Sequence, residues 1–244
     1  MVFETSYLID TRDVDHCSRC RPSALLGYLQ EAATDASAKL CMSRETLMEQ
    51  YHAFWMLARI WVELERPLNW KETLTVRTWH REGKGASVYR DFDLYVDGEQ
   101  VGQAVSTWVL ADVENRRLLR IDKVPGVMGD NHGGELEKDI TLGKLKLPGG
   151  MESVENRRLH YSELDMNGHI NNTRYADFAC DALRMEGMEN GEFVREMQIG
   201  FLAECHAGED LILSAGMEEN RGFVRGNGAD GKPHFEALLT FGKG

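Results

Sequence analysis

The sequence predicts an α+β protein in which one unit is written twice in tandem. An offset of 150 residues superimposes two amphipathic runs, the first starting at Ser23 and the second at Thr173. Each run is followed by four segments of strand-forming residues, with a hairpin signal at the matching place. One helix followed by several antiparallel strands, repeated once, is the pattern of a duplicated α+β unit.

Each run has helical spacing, because its apolar or small residues recur every three or four positions. In the first run these are Leu25, Tyr28, Leu29, Ala32 and Ala36. In the second they are Tyr175, Phe178, Ala179, Ala182 and Met185. We expect Gly187 to end the second helix. Small residues let a sheet close tightly around a helix, so each helix is expected to lie at the centre of its half.

The strand-like segments are rich in Val, Trp, Tyr and Thr. In the first half they run from about 54 to 65, 73 to 81, 86 to 95 and 100 to 111. In the second half they run from about 194 to 204, 211 to 218, 222 to 227 and 234 to 241. Asp97-Gly98 and Asp230-Gly231 are the hairpin signals. A glycine-rich stretch at 122–155 is interpreted as the linker, which leaves 1–121 and 156–244 as the two halves.

Composition excludes several classes of protein. The chain has 244 residues, 42% of them hydrophobic, which is enough to bury a core. Its formal net charge of −12 argues against nucleic-acid binding, because phosphate recognition needs a basic surface. No apolar run has the length of a membrane span, and the first residues lack the basic-then-apolar order of a signal peptide. We therefore expect no membrane insertion and a cytoplasmic location.

An acidic partner would have to meet a local basic patch on this acidic chain. The candidates are Arg116, Arg117, Arg120 and Lys123, or Arg12, Arg19 and Arg21. Scattered, solvated charges are the alternative interpretation. Five cysteines without an export signal are expected to be reduced, and the single CxxC, Cys17 to Cys20, has no second ligand pair. No metal and no other cofactor is assigned.

The segment DMNGH at 165–169 places polar side chains on alternate positions just before the second helix. In an extended turn such side chains share a face, so Asp165, Asn167 and His169 are expected to converge. The equivalent residues of the first half are Asp15, Cys17 and Arg19. A device needed only to start a helix would be kept in both copies, so Asn167 and His169 indicate a site. Asp165 is kept as Asp15, and a role in shaping the turn explains it as well as a chemical one.

A second polar feature, Glu204-Cys205, lies where an apolar strand gives way to a polar turn. Aligning Glu209 with Glu72 puts Pro67 at the position of Glu204, so this carboxylate is also found in one copy alone. Taken singly, a charge at a strand end is ordinarily solvated. Cys205 taken singly is typical of a small buried residue.

These residues resemble a known family. DMNGHINN at 165–172 is similar to the DxNxHxNN segment of acyl-acyl carrier protein thioesterases, both the plant plastid enzymes and their bacterial relatives, and Glu204-Cys205 follows at the expected distance. The resemblance covers nearly the whole chain. It implies a tandem double hotdog fold, in which each half wraps an antiparallel sheet around a long central helix.

The resemblance also implies an activity, the hydrolysis of fatty acyl-acyl carrier protein to free fatty acid. The acyl carrier protein would be the partner, and the acyl chain would be bound chiefly by the N-terminal, catalytically unarmed half. A homodimer is compatible with the sequence but is not indicated by it. Carried over to this chain, the catalytic network would consist of Asp165, Asn167, His169 and Glu204. Cys205 matches a cysteine that has been proposed as the nucleophile of a Cys-His-Asn triad.

Thioester hydrolysis needs an activated water or nucleophile, and donors for the oxyanion. We expect Glu204 or Asp165 to activate water, with His169 sharing the proton transfer and Asn167 orienting the network. A thiolate at Cys205 is the rival route. The turn at 171–174 is expected to supply backbone N–H donors, and Asn171 or Asn172 to cap the helix.

Two other functions remain open at this point. An acyl-CoA thioesterase would need the same chemistry on a different thiol. A non-catalytic acyl-binding or sensor protein would use the same fold, although the acid-base groups found in one of the two copies argue against it.

Overall fold

The computed structural model describes residues 2–124, 140, 142–188 and 191–244. Within this part of the chain the protein is a mostly antiparallel sheet protein with few helices, which confirms the predicted α+β class. Almost half of the predicted linker at 122–155, namely 125–139 and 141, lies outside the described residues. None of the helices in the described ranges is both long and apolar enough to cross a membrane.

Contacts divide the chain into two compact units. Unit 1 consists of Met1–Asp10, Gly27–Val62 and Lys71–Leu142. Unit 2 consists of Thr11–Leu26, Glu63–Trp70 and Gly143–Gly244. The residues at 165–172 and Glu204-Cys205 therefore fall within the same unit.

The first predicted helix is α1, Pro22–Lys39. Leu25, Leu29, Ala32 and Ala36 are all buried, as their spacing predicted. A short helix that was not predicted, α2, follows at Arg44–Tyr51. Its N-cap is Ser43, whose hydroxyl accepts a hydrogen bond from the Thr46 backbone N–H at 3.3 Å.

The second predicted helix, α3, is shorter than expected. It spans Arg174–Ala182, so the expectation that it runs to Gly187 is wrong. Arg184 adopts the left-handed conformation with φ of 55°, which stops the α-helix, and Met185–Gly187 forms a separate 3-10 turn. The apolar spacing continues to Met185, but the backbone does not follow it.

Unit 1 holds an antiparallel sheet. Its strands are β1 (Phe3–Leu8), β2 (Ala53–Leu64), β3 (Thr73–Lys84), β4 (Ser87–Val96) and β5 (Glu99–Asp112). Their order in the sheet is β1-β3-β4-β5-β2. The predicted hairpin at Asp97-Gly98 joins β4 to β5 with φ of 50° and 81°, and two positive φ values are the signature of a type I′ turn.

Unit 2 repeats this arrangement. Its strands are β6 (Glu152–Arg158), β7 (Glu192–Phe201), β8 (Asp210–Glu218), β9 (Arg221–Gly228) and β10 (Pro233–Lys243), in the order β7-β10-β9-β8-β6. The strands β1 and β6 were not predicted. Each pairs with one neighbour and carries mostly polar residues on its exposed positions, so neither has the apolar content by which the other strands were recognised.

The aromatic residues in the core of unit 2 pack around one tyrosine. The Tyr175 ring on α3 packs edge-on against Phe178, Phe201 and Phe235 at centroid distances of 5.0 to 5.7 Å. Gly226 on β9 faces the Phe235 ring so closely that a Cβ there would overlap it. This packing fixes α3 against the strand that leads to Glu204.

Candidate active site

Asp165 shapes the turn that precedes α3. Its Oδ1 accepts the backbone N–H of Asn167 at 2.8 Å and that of His169 at 3.2 Å. Its own N–H donates to the His169 carbonyl at 2.8 Å. Gly168 closes the turn with φ of 78°, a value that favours glycine.

The same turn is built at Asp15. Asp15 Oδ1 accepts the N–H groups of Cys17 and Arg19 at 2.8 and 2.9 Å, and Ser18 has the positive φ of 61° that Gly168 has in the second copy. The bridges that close the two turns, Val14 to Cys20 and Leu164 to Ile170, are also 150 residues apart. The turn is therefore a shared structural device, and the carboxylate of Asp165 is occupied in building it.

The strand ends correspond in the same way. The N–H of Ile170 donates to the carbonyl of Cys205 at 2.9 Å, and the N–H of Cys20 donates to the carbonyl of Leu68 at 2.7 Å. Cys205 is thus equivalent to Leu68. Glu204 is consequently equivalent to Pro67, as the alignment of the two halves predicted.

The two copies differ in the side chains that the equivalent turn and strand end carry. In the second copy His169 Nδ1 lies 3.4 Å from Glu204 Oε1, with side-chain exposures of 17% and 33%. In the first copy the Arg19 guanidinium turns back onto Asp15 Oδ2 at 3.0 Å. An imidazole facing a partly buried carboxylate can exchange protons with a substrate, whereas an internally paired arginine cannot.

Asn167 belongs to the same turn. Its Nδ2 donates to Asp165 Oδ2 at 3.3 Å, and its side chain is exposed. The structure therefore brings together Asp165, Asn167, His169 and Glu204. Among the described residues, no group of three or more His, Cys, Asp or Glu side chains is arranged to hold a metal ion.

Two histidines of the site were not singled out from the sequence. The His206 ring meets the His169 ring edge-on at 5.0 Å, and His206 Nδ1 lies 3.3 Å from Glu209 Oε1. The sequence feature that could have identified His206 is its position two residues after Glu204, because alternate residues of an extended segment share a face.

The second histidine, His234 at the start of β10, lies on the other side of the same segment. Its Nδ1 is 3.1 Å from the Glu204 carbonyl oxygen and 3.0 Å from Cys205 Sγ. Nothing in the sequence marks His234, because its contact depends on the pairing of β10 with β7.

Cys205 points into the protein, away from the exposed edge of the site. Its side chain is 1% exposed. Burial is the main cause that raises the pKa of the Cys205 thiol to about 11; a hydrogen bond with Tyr175 opposes the shift and the charge of Glu209 adds to it. The thiol is therefore protonated at neutral pH and has its own histidine neighbour, His234.

The start of α3 supplies fewer free donors than expected. The N–H of Asn171 donates to Glu163, and the N–H groups of Thr173 and Arg174 donate to the side chain and carbonyl of Asn171, all at 2.9 to 3.0 Å. The N-cap of α3 is Thr173, without a side-chain cap hydrogen bond, so the expectation that Asn171 or Asn172 caps the helix is wrong; the Asn171 side chain instead holds Thr173 in the turn before it. The expectation that 171–174 forms the oxyanion site is wrong for these three N–H groups, because each already has a partner.

Comparison with known proteins gives a consistent result. Residues 1–124 match the family model of the acyl-ACP thioesterase N-terminal domain, and residues 150–227 match that of the C-terminal domain. Oleoyl-acyl carrier protein thioesterase 2 of Arabidopsis thaliana, a chloroplast protein, is 25% identical over 87% of this chain. A palmitoyl-acyl carrier protein thioesterase of Gossypium hirsutum is 24% identical over 88% of it. The chain spans 62% of the length of the first relative and 54% of the second.

Solved structures share the fold. An acyl-ACP thioesterase from Bacteroides thetaiotaomicron superimposes with a TM-score of 0.88 at 21% identity, covering 99% of this chain and 98% of the other. The 12:0-ACP thioesterase from Umbellularia californica superimposes with a TM-score of 0.84 at 20% identity, covering 100% and 98%. The α+β architecture of this chain is therefore that of known acyl-ACP thioesterases.

Proposed function

Because the chain belongs to the acyl-acyl carrier protein thioesterase family, we propose that it hydrolyses the thioester of a fatty acyl-acyl carrier protein and releases free fatty acid. The observation that carries the proposal is the contact of His169 with Glu204 in one of two otherwise equivalent turns. A site kept only for binding would not need an acid-base pair at this position.

In the proposed mechanism, Glu204 orients His169 and the imidazole activates water. Neutral His169 holds one proton, and placing it on Nδ1, toward Glu204, leaves the lone pair on Nε2. Nε2 takes a proton from water as the water oxygen attacks the thioester carbonyl. Collapse of the tetrahedral intermediate breaks the C–S bond, and the imidazolium returns its proton to the departing sulfur. The carboxylate of Glu204 stabilises the imidazolium between these steps.

Asn167 is the donor that we assign to the developing oxyanion. An amide nitrogen carries two hydrogens, and the bond to Asp165 fixes the plane of the amide. The exposed amide is then oriented before the substrate arrives, which is what makes such donors effective in catalysis. Asp165 is thus a positioning residue in this account, since it contacts the reacting atoms only through Asn167.

The thiol route has less support. A nucleophilic cysteine needs a lowered pKa and access to the substrate, whereas the pKa of Cys205 is raised and its side chain is buried. We assign Cys205 a packing role next to Tyr175 and His234.

For the fold, we propose that the chain is a tandem double hotdog, with 1–121 binding the acyl chain and 156–244 carrying the chemistry. The support is the repeated turn and the equivalent strand order of the two units. The long buried stripe of α1 gives the N-terminal half its central helix.

The carrier protein is the proposed partner, met by a basic turn after β5. Arg116, Arg117 and Arg120 are all exposed there, although Arg120 is paired with Asp122. The side chain of Lys123 lies outside the described residues. Arg19, a member of the other candidate patch, is buried against Asp15 and is not part of a basic surface.

The proposal is tested by offering acyl carrier protein thioesters and the matching coenzyme A thioesters to the protein and measuring the released thiol. We expect hydrolysis of both with a higher kcat/KM for the carrier protein, and a preference that falls as salt rises. Equal kcat/KM values at all salt concentrations would favour an acyl-CoA thioesterase. Thioester binding without thiol release would favour a binding protein.

A further inference from the structure

An arginine is buried on the helix-facing side of the unit 1 sheet. Arg90 in β4 is 2% exposed and pairs across the sheet with His80 in β3 and Ser106 in β5. Residues paired across strands lie on one face. The Nη2 of Arg90 donates to Ser37 Oγ of α1 at 3.3 Å, so this face is the one that meets the helix.

The charge of Arg90 has no carboxylate partner within the described residues. Its hydrogen bonds go to Ser37, to Thr78 Oγ1 at 3.2 Å and to His80 Nε2 at 2.5 Å, all of them neutral groups. Burial lowers the pKa of Arg90 to about 10 although the charge of Asp91 opposes the shift, and the guanidinium stays charged at neutral pH. A buried cation held by neutral groups alone is unusual, because a desolvated charge is ordinarily paired.

The neighbouring carboxylate is used elsewhere. Asp91 follows Arg90 in β4 and points to the opposite face, where Arg81 Nε and Nη2 donate to it at 2.6 to 3.2 Å. Asp91 therefore forms its ion pair with Arg81, and its charge also favours the charged form of Arg90.

His80 adds a second donor beside this charge. Burial, together with the charge of Arg90, lowers the pKa of His80 to about 3, so the ring is neutral and holds one proton. Since Arg90 donates to Nε2, that proton lies on Nδ1. His80 Nδ1 is buried and has no hydrogen-bond partner in the described part of the chain. Buried donors ordinarily have a hydrogen-bond partner, so a buried donor without one indicates a position where a ligand supplies the acceptor.

We propose that Arg90 and His80 form a subsite for an oxygen atom carried by the acyl chain, so that unit 1 prefers acyl groups bearing a hydroxyl, oxo or carboxylate oxygen over plain hydrocarbon chains. This inference rests on the proposed function, in which residues 1–121, the half that includes Arg90 and His80, bind the acyl group. The guanidinium and the Nδ1–H are donors, which selects for an acceptor oxygen. A saturated chain in contact with them would leave both donors unsatisfied, and sites built to hydrogen-bond a substrate discriminate strongly against analogues that lack the polar group.

The test uses acyl-pantetheine amides, in which nitrogen replaces the thioester sulfur so that the probe is not hydrolysed. All probes have acyl chains of one length. The chain of one probe carries no added oxygen, and the chains of the others carry a hydroxyl, an oxo group or a terminal carboxylate. The hydroxyl and the oxo group are each placed at an internal carbon in one probe and at the terminal carbon in another. Their dissociation constants are measured by calorimetry on the full chain. The variants are Arg90→Met, which removes the charge at similar volume, and Arg77→Met as the matched control. Arg77 lies on β3 and pairs with Glu4 at the surface.

We expect the wild-type protein and Arg77→Met to bind at least one oxygenated probe roughly tenfold more tightly than the saturated probe. Arg90→Met should lose this preference. Comparing the carboxylate probe with the hydroxyl and oxo probes distinguishes a site for an anion from a site for a neutral oxygen. Equal or weaker binding of every oxygenated probe by the wild-type protein would overturn the inference, as would a preference that survives in folded Arg90→Met. If Arg90→Met does not fold, the wild-type comparison decides alone.

The outcome is independent of hydrolysis because the probes do not react. Equal binding of all probes by a protein that hydrolyses acyl carrier protein thioesters would remove the oxygen subsite and leave the proposed function intact. A clear preference for oxygenated probes in a protein that hydrolyses no thioester would support the oxygen subsite and remove the proposed function.

Discussion

At the residue scale, the proposed chemistry depends on a few residues that differ between two otherwise equivalent turns. The turn at Asp165 has the same hydrogen bonds as the turn at Asp15, and the turn alone therefore confers no chemistry. What differs is His169 in place of Arg19, and Glu204 in place of Pro67. These exchanges could be predicted from the sequence because the repeat supplies its own comparison.

The partners of these residues could not be predicted in the same way. His206 and His234 meet the site through packing and strand pairing, which place residues together that are far apart in the chain. The exposure of Glu204 and the burial of Cys205 were also undetermined, because both follow from how one short segment is turned after β7 ends.

Replacing Glu204 with Gln should lower single-turnover hydrolysis by about 10² to 10⁴-fold, since the amide cannot stabilise the imidazolium of His169. Glu218→Gln is the control, because Glu218 is an exposed residue of β8 paired with Arg221. It should leave the rate unchanged. A Glu204→Gln rate equal to that of the control would remove Glu204 from the mechanism.

Cys205 should behave as a packed residue and not as a nucleophile. Because its pKa is raised to about 11, little thiolate is present at neutral pH, and alkylation by iodoacetamide should label exposed Cys41 well before Cys205. Cys205→Ala should keep most of the turnover. Near-complete loss of turnover in a folded Cys205→Ala protein would instead support the thiol route.

At the element scale, the helices and strands that carry an apolar stripe were predictable, and the others were not. The segments predicted at 73 to 81 and 211 to 218 begin within one residue of β3 and β8. The polar edge strands β1 and β6 and the short helix α2 were missed because they bury little apolar surface. The early end of α3 at Ala182 was missed because a left-handed residue such as Arg184 leaves no mark on apolar spacing.

The packing of β9 on β10 gives a prediction about stability. Gly226→Ala should lower the free energy of unfolding by about 1 to 3 kcal/mol, because the new methyl group would overlap the buried Phe235 ring. Gly187→Ala is the matched control, since no atom of the described residues lies within 4 Å of a Cβ there. Denaturant unfolding of both variants measures the difference. A Gly226→Ala protein as stable as the control would show that the Phe235 ring is not held as described.

At the scale of the whole molecule, the family and the α+β class could be predicted from the repeat and the motif together. The grouping of Thr11–Leu26 and Glu63–Trp70 with unit 2 could not, because it depends on tertiary contacts that a sequence repeat does not specify. Net charge gave a further constraint, since a protein of charge −12 needs a local basic surface to receive an acidic partner.

Charge reversal in the basic turn tests that surface. Arg117→Glu should raise KM for the carrier protein substrate by roughly three- to tenfold at low salt, with little change in kcat, because rim charges act mainly on association. The effect should shrink at high salt. Lys144→Glu, an exposed charge reversal in unit 2, serves as the control. Equal KM values for both variants would place the docking surface elsewhere.

The central claim is that His169, oriented by Glu204, performs the proton transfers of acyl carrier protein thioester hydrolysis. Its most direct test is single-turnover release of free acid from an acyl carrier protein thioester by the wild-type protein and by His169→Ala, with substrate binding measured in parallel. We expect unchanged folding and binding and a rate lowered by about 10³-fold or more. A His169→Ala protein that releases acid at the wild-type rate would contradict it.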